Sequence, residues 1–173
     1  RCRGILLMAL SNKTGRIVVT TGNKSELSVG YCTLYGDMAG GFAVLKDIPK
    51  TMVYQLAEYI NQSNGRNIIP QRVIDRPPSA ELAPDQCDQD NLPSYDMLDE
   101  IIDLYIEQEL GYQSICDKGY DPDIVRKVIV LINHNEYKRR QAAVGIRISK
   151  HAYGKDRRYP ITSGFSDHLS ISD

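Results

Sequence analysis

Residues 16–21, Arg-Ile-Val-Val-Thr-Thr, form an unbroken β-rich run closed by Gly15 and Gly22. With no alternation of apolar and polar positions, such a run has the character of a strand buried in a parallel sheet. The chain passes from it directly into a helix start. Asn23 is an N-cap residue and Glu26 stands at the third helical position, so each side chain can satisfy the other's backbone N–H. The spacing predicts a helix through Leu34 and Tyr35, a glycine-rich turn at 36–41, a short strand at 42–45 and an amphipathic helix over 50–60 with Val53, Leu56 and Ile60 on one face. Upstream, 5–10 reads as the last turns of a helix closed by Gly15. Strand, helix, strand, helix specifies an α/β fold.

The character changes from Ile68. Residues 70–93 hold Pro70, Pro77, Pro78, Pro84 and Pro93, five of the chain's 8 prolines, a density that prevents a continuous helix or central strand. A loop this long is either functional or a solvated acidic linker, and it carries Asp75, Glu81, Asp85, Asp88 and Asp90. Two helices follow: one over 95–109 with Leu98, Ile101, Ile102 and Tyr105 inward, and one running from Asp121-Pro122 to about Ile132, with proline at its first position. The end is basic, with Lys138, Arg139, Arg140, Arg147, Lys150, Lys155, Arg157 and Arg158. Either the acidic and basic parts meet, or the basic end binds phosphate.

The 173 residues amount to a single domain, with no internal repeat; 42% are hydrophobic, enough for a core, and the net charge of −1 gives no support for simple electrostatic binding of nucleic acid. The apolar stretch 5–10 is far shorter than the about 20 residues that span a bilayer, so no membrane partner is expected. Cys2, Cys32, Cys87 and Cys116 contain no CxxC pair and read as reduced thiols of a cytoplasmic protein. Opening at Arg1-Cys2-Arg3-Gly4 without methionine, the chain reads as a piece of something longer.

The segment from Thr20 to Glu26 carries the chemistry. A strand ending in Thr-Thr-Gly before a helix N-terminus offers hydroxyls, free N–H groups and a positive dipole, which suits a phosphorylated nucleotide. Glu26 is there either an ordinary capping acid or a ligand for nucleotide-bound Mg²⁺, which takes only one or two carboxylates. Lys50 heads a helix, where a cation opposes the dipole; its position makes sense if it faces an anion. Pro49 rules out a Walker loop before it, and His134, His151 and His168 form no HExxH zinc motif. A serine-hydrolase elbow is likewise missing from the sequence.

The runs Thr20-Thr-Gly-Asn-Lys-Ser-Glu26, Gly30-Tyr-Cys-Thr-Leu-Tyr-Gly-Asp37, Lys46-Asp-Ile-Pro-Lys-Thr51, Arg76-Pro-Pro-Ser-Ala-Glu-Leu82, Asp88-Gln-Asp90 and Asn135-Glu-Tyr-Lys-Arg-Arg-Gln141 closely resemble the NAD synthetase family. The tail Gly154-Lys-Asp-Arg-Arg-Tyr-Pro-Ile161 is similar to its larger, glutamine-dependent form, and the resemblance covers nearly the whole chain. It implies an adenine-nucleotide α-hydrolase-like α/β fold, Rossmann-like with a parallel sheet and flanking helices, here as a partial domain. It also implies adenylation of deamido-NAD by Mg-ATP and displacement of AMP by ammonia drawn from glutamine.

By position, the resemblance gives Thr21, Lys50 and Ser79 to ATP. It gives Glu26, Tyr31, Cys32, Thr33, Leu34, Asp37 and Lys138 to deamido-NAD, makes Glu26 the Mg²⁺ ligand and implies a homo-oligomer. The loop over 70–93 matches a segment that closes over the acyl-adenylate. Cys32 has no adjacent base and reads as a packing thiol, and Asn91 receives no role. The family's Ser-Gly-Gly-x-Asp-Ser pyrophosphate loop and its glutaminase domain are not in this sequence, so residues 1–173 read as the C-terminal portion of a synthetase domain, inactive alone. The alternatives are a truncated, non-catalytic nucleotide-binding and dimerisation module, or another ligase of the ATP-pyrophosphatase fold. The block from Tyr31 to Asp37 argues against the latter.

Overall fold

The computed structural model of the chain describes residues 1–79 and 87–163. Helix α1 (Cys2–Thr14) ends, as the sequence implies, on Gly15 in the left-handed conformation. Strand β1 (Val19–Thr20) and strand β2 (Phe42–Ala43) lie parallel, Val19 opposite Phe42 and Thr20 opposite Ala43, with helix α2 (Lys24–Val29) in the crossover between them. On its other side Ala43 forms a further parallel bridge with Gly145, its N–H donating to Val144 O at 2.8 Å. The expected α/β order is therefore present.

Three expectations need correction. The strand is two residues long rather than six, and it is not buried throughout: Thr20 is enclosed, but Ile17 is 66% exposed and Val19 48%. A β-branched run reports a preference for extended backbone, whereas burial needs a partner layer over each face. Helix α2 stops at Val29 instead of reaching Tyr35, because Gly30 takes a left-handed φ of 71° and its N–H closes the helix on Glu26 O. A Cβ there would fall inside the Asn135 side chain. In helix α3 (Lys50–Ser63) the stripe expected to face inward is open, with Leu56 and Ile60 exposed. The helix is held at its ends: Asn61 is buried and exchanges two hydrogen bonds with the Ile69 backbone, at 2.9 Å each.

Between 70 and 93 the described backbone makes only helix α4 (Gln71–Asp75) and a 3₁₀ turn (Asp88–Asp90), in keeping with the proline density. Glu81, Pro84 and Asp85 lie outside the described residues, as does His168.

Helix α5 (Tyr95–Ile102) begins on a Ser94 cap and runs into a π-helical segment, Asp103–Glu107. Helix α6 (Tyr112–Cys116), helix α7 (Pro122–His134) and helix α8 (Glu136–Arg139) complete the described elements. Helix α7 starts as expected, Asp121 accepting from the N–H groups of Asp123 and Ile124 with Pro122 in the first turn. The core lies among α5, α6 and α7. Leu98, Ile101, Ile106, Ile115, Val125, Val128, Ile129 and Ile132 are fully enclosed, and Ile102 and Tyr105 face inward as the periodicity requires.

Within the basic run after Asn135, Arg140, Arg147, Lys150, Lys155 and Arg158 are exposed, but one residue is not solvated. Arg139 is buried, bonds the carbonyls of Leu27 and Ser28 at the end of α2, and pairs with Glu136, which also holds Arg140. A second buried network fixes the start of α2. Lys24 Nζ donates to Asp47 Oδ1 at 2.9 Å, Glu107 Oε1 and Ser149 Oγ, while Asp47 Oδ2 accepts from the N–H groups of Ile148 and Ser149. No described helix is long and apolar enough to cross a membrane.

Candidate functional site

The N-termini of α2 and α3 converge. The capping box at the head of α2 forms as its spacing predicts: Asn23 Oδ1 accepts from Glu26 N at 3.0 Å, and Glu26 Oε2 accepts from Asn23 N at 3.3 Å. Helix α3 starts after Pro49, which offers no capping side chain, and borrows its caps from elsewhere. Ser25 Oγ accepts from Lys50 N at 2.8 Å, and Asp99 Oδ2 accepts from Thr51 N at 2.9 Å and Thr51 Oγ1 at 2.8 Å. Ser25 in turn donates to Asp99. These bonds satisfy amides at the head of α3 that would otherwise lack acceptors.

Lys50 heads its helix and faces an anion, as its unfavourable place in the dipole demands; that anion is Glu26, whose Oε1 lies 3.0 Å from Lys50 Nζ. Lys50 also sits over the rings of Tyr54 and Tyr95, 5.8 and 5.4 Å from their centroids. Glu26 therefore does serve as a capping acid, and its second oxygen is turned toward a lysine in a cleft.

Two cavities meet at this point. One, of about 900 Å³, is lined by Glu26, Lys50, Tyr54, Arg72, Arg76, Ser79 and Asp88. The other, of about 620 Å³, is lined by Thr21, Tyr31, Cys32, Thr33, Asp37, Asn91 and Lys138, and shares Glu26, Ser79 and Asp88 with the first. The sequence-predicted residues thus fall into two groups that meet at Glu26. Lys50 and Ser79 lie on the first cavity, and Thr21, Tyr31, Cys32, Thr33, Asp37 and Lys138 on the second. Leu34 is not among the lining residues of either; its carbonyl accepts from Arg1 Nε.

Two further placements change the picture drawn from sequence. Lys138 Nζ donates to Gly30 O at 2.6 Å and to Cys32 O at 3.0 Å, so it shapes the 30–33 turn while lining the cavity. Asp37 Oδ1 accepts from Thr33 N at 2.6 Å and closes the same turn. Burial pushes the Cys32 thiol up to about 11, which keeps it protonated and supports its reading as a packing group. Sequence reasoning gave no role to Tyr54, Arg72, Arg76 or Asp88. Arg76 and Asp88 do stand inside the quoted blocks, so resemblance marked the segments without marking the function.

Among the described residues no group of three or more His, Cys, Asp or Glu side chains is placed to hold a metal on its own. Among those residues there is thus no all-protein cage, and a carboxylate in a cleft with lysine and arginine suits Mg²⁺ arriving on a polyphosphate, which supplies most of its own oxygens. Glu26 fits that requirement.

The NAD synthase family model matches residues 1–142. The glutamine-dependent NAD(+) synthetase of Acinetobacter baylyi is 61% identical over 165 residues, 95% of this chain and 30% of that protein. That of Thermotoga maritima is 55% identical over 169 residues, 98% and 29% respectively. The chain thus spans about 30% of the length of these relatives. Among solved structures, the glutamine-dependent NAD(+) synthetase of Cytophaga hutchinsonii shares the fold with a TM-score of 0.73 at 24% identity, over 94% of this chain and 27% of that one. With the fold shared and the family model running from Arg1 through the α8 region, the chain belongs to the NAD synthase family.

Proposed function

We propose that residues 1–173 form the C-terminal portion of the synthetase domain of a glutamine-dependent NAD synthetase, which adenylates the nicotinate carboxylate of deamido-NAD with ATP and then amidates it with ammonia derived from glutamine. The observation that carries this reading is the meeting of two cavities at Glu26, one bordered by cations and one by the 30–37 turn. A reaction between a nucleoside triphosphate and a dinucleotide needs two adjoining compartments with the reacting groups at their junction.

In this reading Lys50 and Ser79 bind ATP from the first cavity, and Thr21, which lines the second, reaches ATP where the two cavities meet. Lys50 sets a fixed positive charge beside the departing pyrophosphate and stabilises it with little reorganisation. Tyr31, Cys32, Thr33, Asp37 and Lys138 form the deamido-NAD side, with Leu34 next to Thr33 in the chain but off the cavity lining, and Lys138 holds the turn in shape through Gly30 and Cys32. Glu26 orients the nicotinate end and holds Mg²⁺, and the ion when bound neutralises phosphate charge. The protein acts as a homo-oligomer in the cytoplasm, a placement supported by four free cysteines.

The test is product formation by the full-length protein in which this chain occurs. Incubation with ATP, Mg²⁺, deamido-NAD and glutamine is expected to yield NAD, AMP and pyrophosphate in equal amounts. ADP and phosphate as products, or turnover with no need of deamido-NAD, would contradict the reading.

A further inference from the structure

Asp88 is 3% exposed, yet it lines both cavities at their junction beside Glu26 and Ser79. Its two carboxylate oxygens are in different situations. Oδ2 accepts from the Tyr95 hydroxyl at 2.7 Å. Oδ1 is buried and has no hydrogen-bond partner among the described residues.

Burial and the bond to Asp88 push the Tyr95 phenol far above its ordinary range, so it remains a donor throughout the working pH range. The backbone pins the carboxylate as well, with Asp88 N donating to Pro78 O and Asp88 O accepting from Asn91 N and Leu92 N. The fold therefore spends four hydrogen bonds fixing an acid and leaves one of its oxygens unmatched. A buried acceptor without a donor is costly and calls for a ligand that brings one. A phosphate or a second carboxylate would be repelled there; a nitrogen carrying N–H bonds would be held.

We propose that Asp88 receives the nitrogen nucleophile, an inference that rests on the reading of the site given above. Oδ1 accepts an N–H of ammonia at the junction of the cavities. The nitrogen lone pair attacks the acyl carbon of the adenylate and the C–N bond forms. The C–O bond to AMP breaks, its electron pair leaving on the phosphate oxygen, and the proton shed by the nitrogen passes to Oδ1. Tyr95 is the positioning residue, holding the other oxygen and so fixing the carboxylate at the junction.

Two half-reactions of the full-length protein test this: ATP–pyrophosphate exchange dependent on deamido-NAD, measured without a nitrogen donor, and NAD formation from ammonium. Asp88→Asn is expected to lower NAD formation on the order of a hundredfold and to depress exchange by a factor at least about tenfold smaller. Hydroxylamine, largely neutral at pH 7 and in less need of a base, should recover part of the loss. Tyr95→Phe keeps the ring over Lys50 and should show a weaker form of the same selective defect; it carries the test if the Asp88 variant does not fold. Exchange and amidation falling together, or ammonium and hydroxylamine falling by the same factor, would overturn the assignment. Absence of exchange in the unsubstituted protein would instead remove the synthetase reading itself.

Discussion

The first residue of α3 and the third residue of α2 meet as an ion pair, Lys50 Nζ lying 3.0 Å from Glu26 Oε1. Each residue answers a local need: Glu26 caps its helix, and Lys50 relieves its opposition to the dipole by facing a carboxylate. Their meeting also places one fixed anion and one fixed cation at the junction of two cavities, which is the arrangement the proposed adenylation requires.

Glu26→Gln leaves an oxygen to accept from Asn23 N and so preserves the cap, but removes the charge. In the full-length protein, ATP–pyrophosphate exchange should fall about a hundredfold, equivalent to roughly 3 kcal/mol of barrier, with little change in melting temperature. A variant with near-normal exchange and an unchanged Mg²⁺ requirement would leave Glu26 as a cap alone.

Lys138→Met tests a residue whose role looks different in the structure than in the sequence. A surface cation could be lost at almost no cost, but Lys138 supplies the donors for two carbonyls of the 30–33 turn. Its loss should destabilise the protein by about 1–3 kcal/mol and raise the KM for deamido-NAD much more than that for ATP. Denaturation and initial-rate measurements separate the two effects; an unchanged midpoint would show that the turn does not depend on these bonds.

Lys24 ties the start of α2 into a buried charge network whose contribution to stability depends on pH. Burial opposes its charge, but hydrogen bonds to Glu107 and Asp47 more than compensate and raise its pKa. Burial likewise opposes the charge of Asp47 and Glu107, and it is outweighed: at Asp47 by the backbone N–H groups of Ser149 and Ile148 together with Lys24, at Glu107 by Lys24 and the N–H of His151. The lowered carboxylate values mean stability that is complete above their unfolded values near about 4 and is lost as pH falls through the folded values below that. The raised lysine value means stability that is complete below about 10.4 and is lost as pH climbs through the folded value above it. Lys24→Met should cost about 3–5 kcal/mol at neutral pH by stranding two carboxylates. The deficit should shrink in acid, where they protonate; a deficit that is flat from pH 7 to pH 3 would argue against the charge account.

Gly30→Ala forces a side chain into a left-handed position and into Asn135, whose Nδ2 donates to Val29 O at 3.0 Å. The conformation alone costs about 1–2 kcal/mol, so the melting temperature should drop clearly. An alanine variant as stable as the native chain would show that α2 can end without this cap.

What could be read from the sequence was mostly local. Asn23 with Glu26, and Asp121 with Pro122, announce helix starts because the interacting groups lie within one turn. The inward face of α5 was legible because its apolar spacing matches a helix pressed on one layer. Longer-range facts were not. Lys24 and Arg139 are among the most polar side chains, and nothing near them in sequence reveals that Asp47, Glu107 and Ser149, or two carbonyls of α2, enclose them. Ile17 and Leu56 mislead in the opposite direction, since apolar character cannot show whether a second layer lies over them. Of the site, the family blocks identified the segments, while the pairing of Glu26 with Lys50 and the anchoring of Asp88 by Tyr95 came only from the packing of α2, α3 and α5.

The central claim is that the junction at Glu26 joins ATP to deamido-NAD. Isotope exchange between labelled pyrophosphate and ATP in the full-length protein, with Mg²⁺ and no nitrogen donor, tests it most directly, because label can enter ATP only if an acyl-adenylate forms reversibly. The account predicts exchange that appears on addition of deamido-NAD and is absent without it. Exchange indifferent to deamido-NAD, or NAD formation with no exchange under any condition, would contradict it.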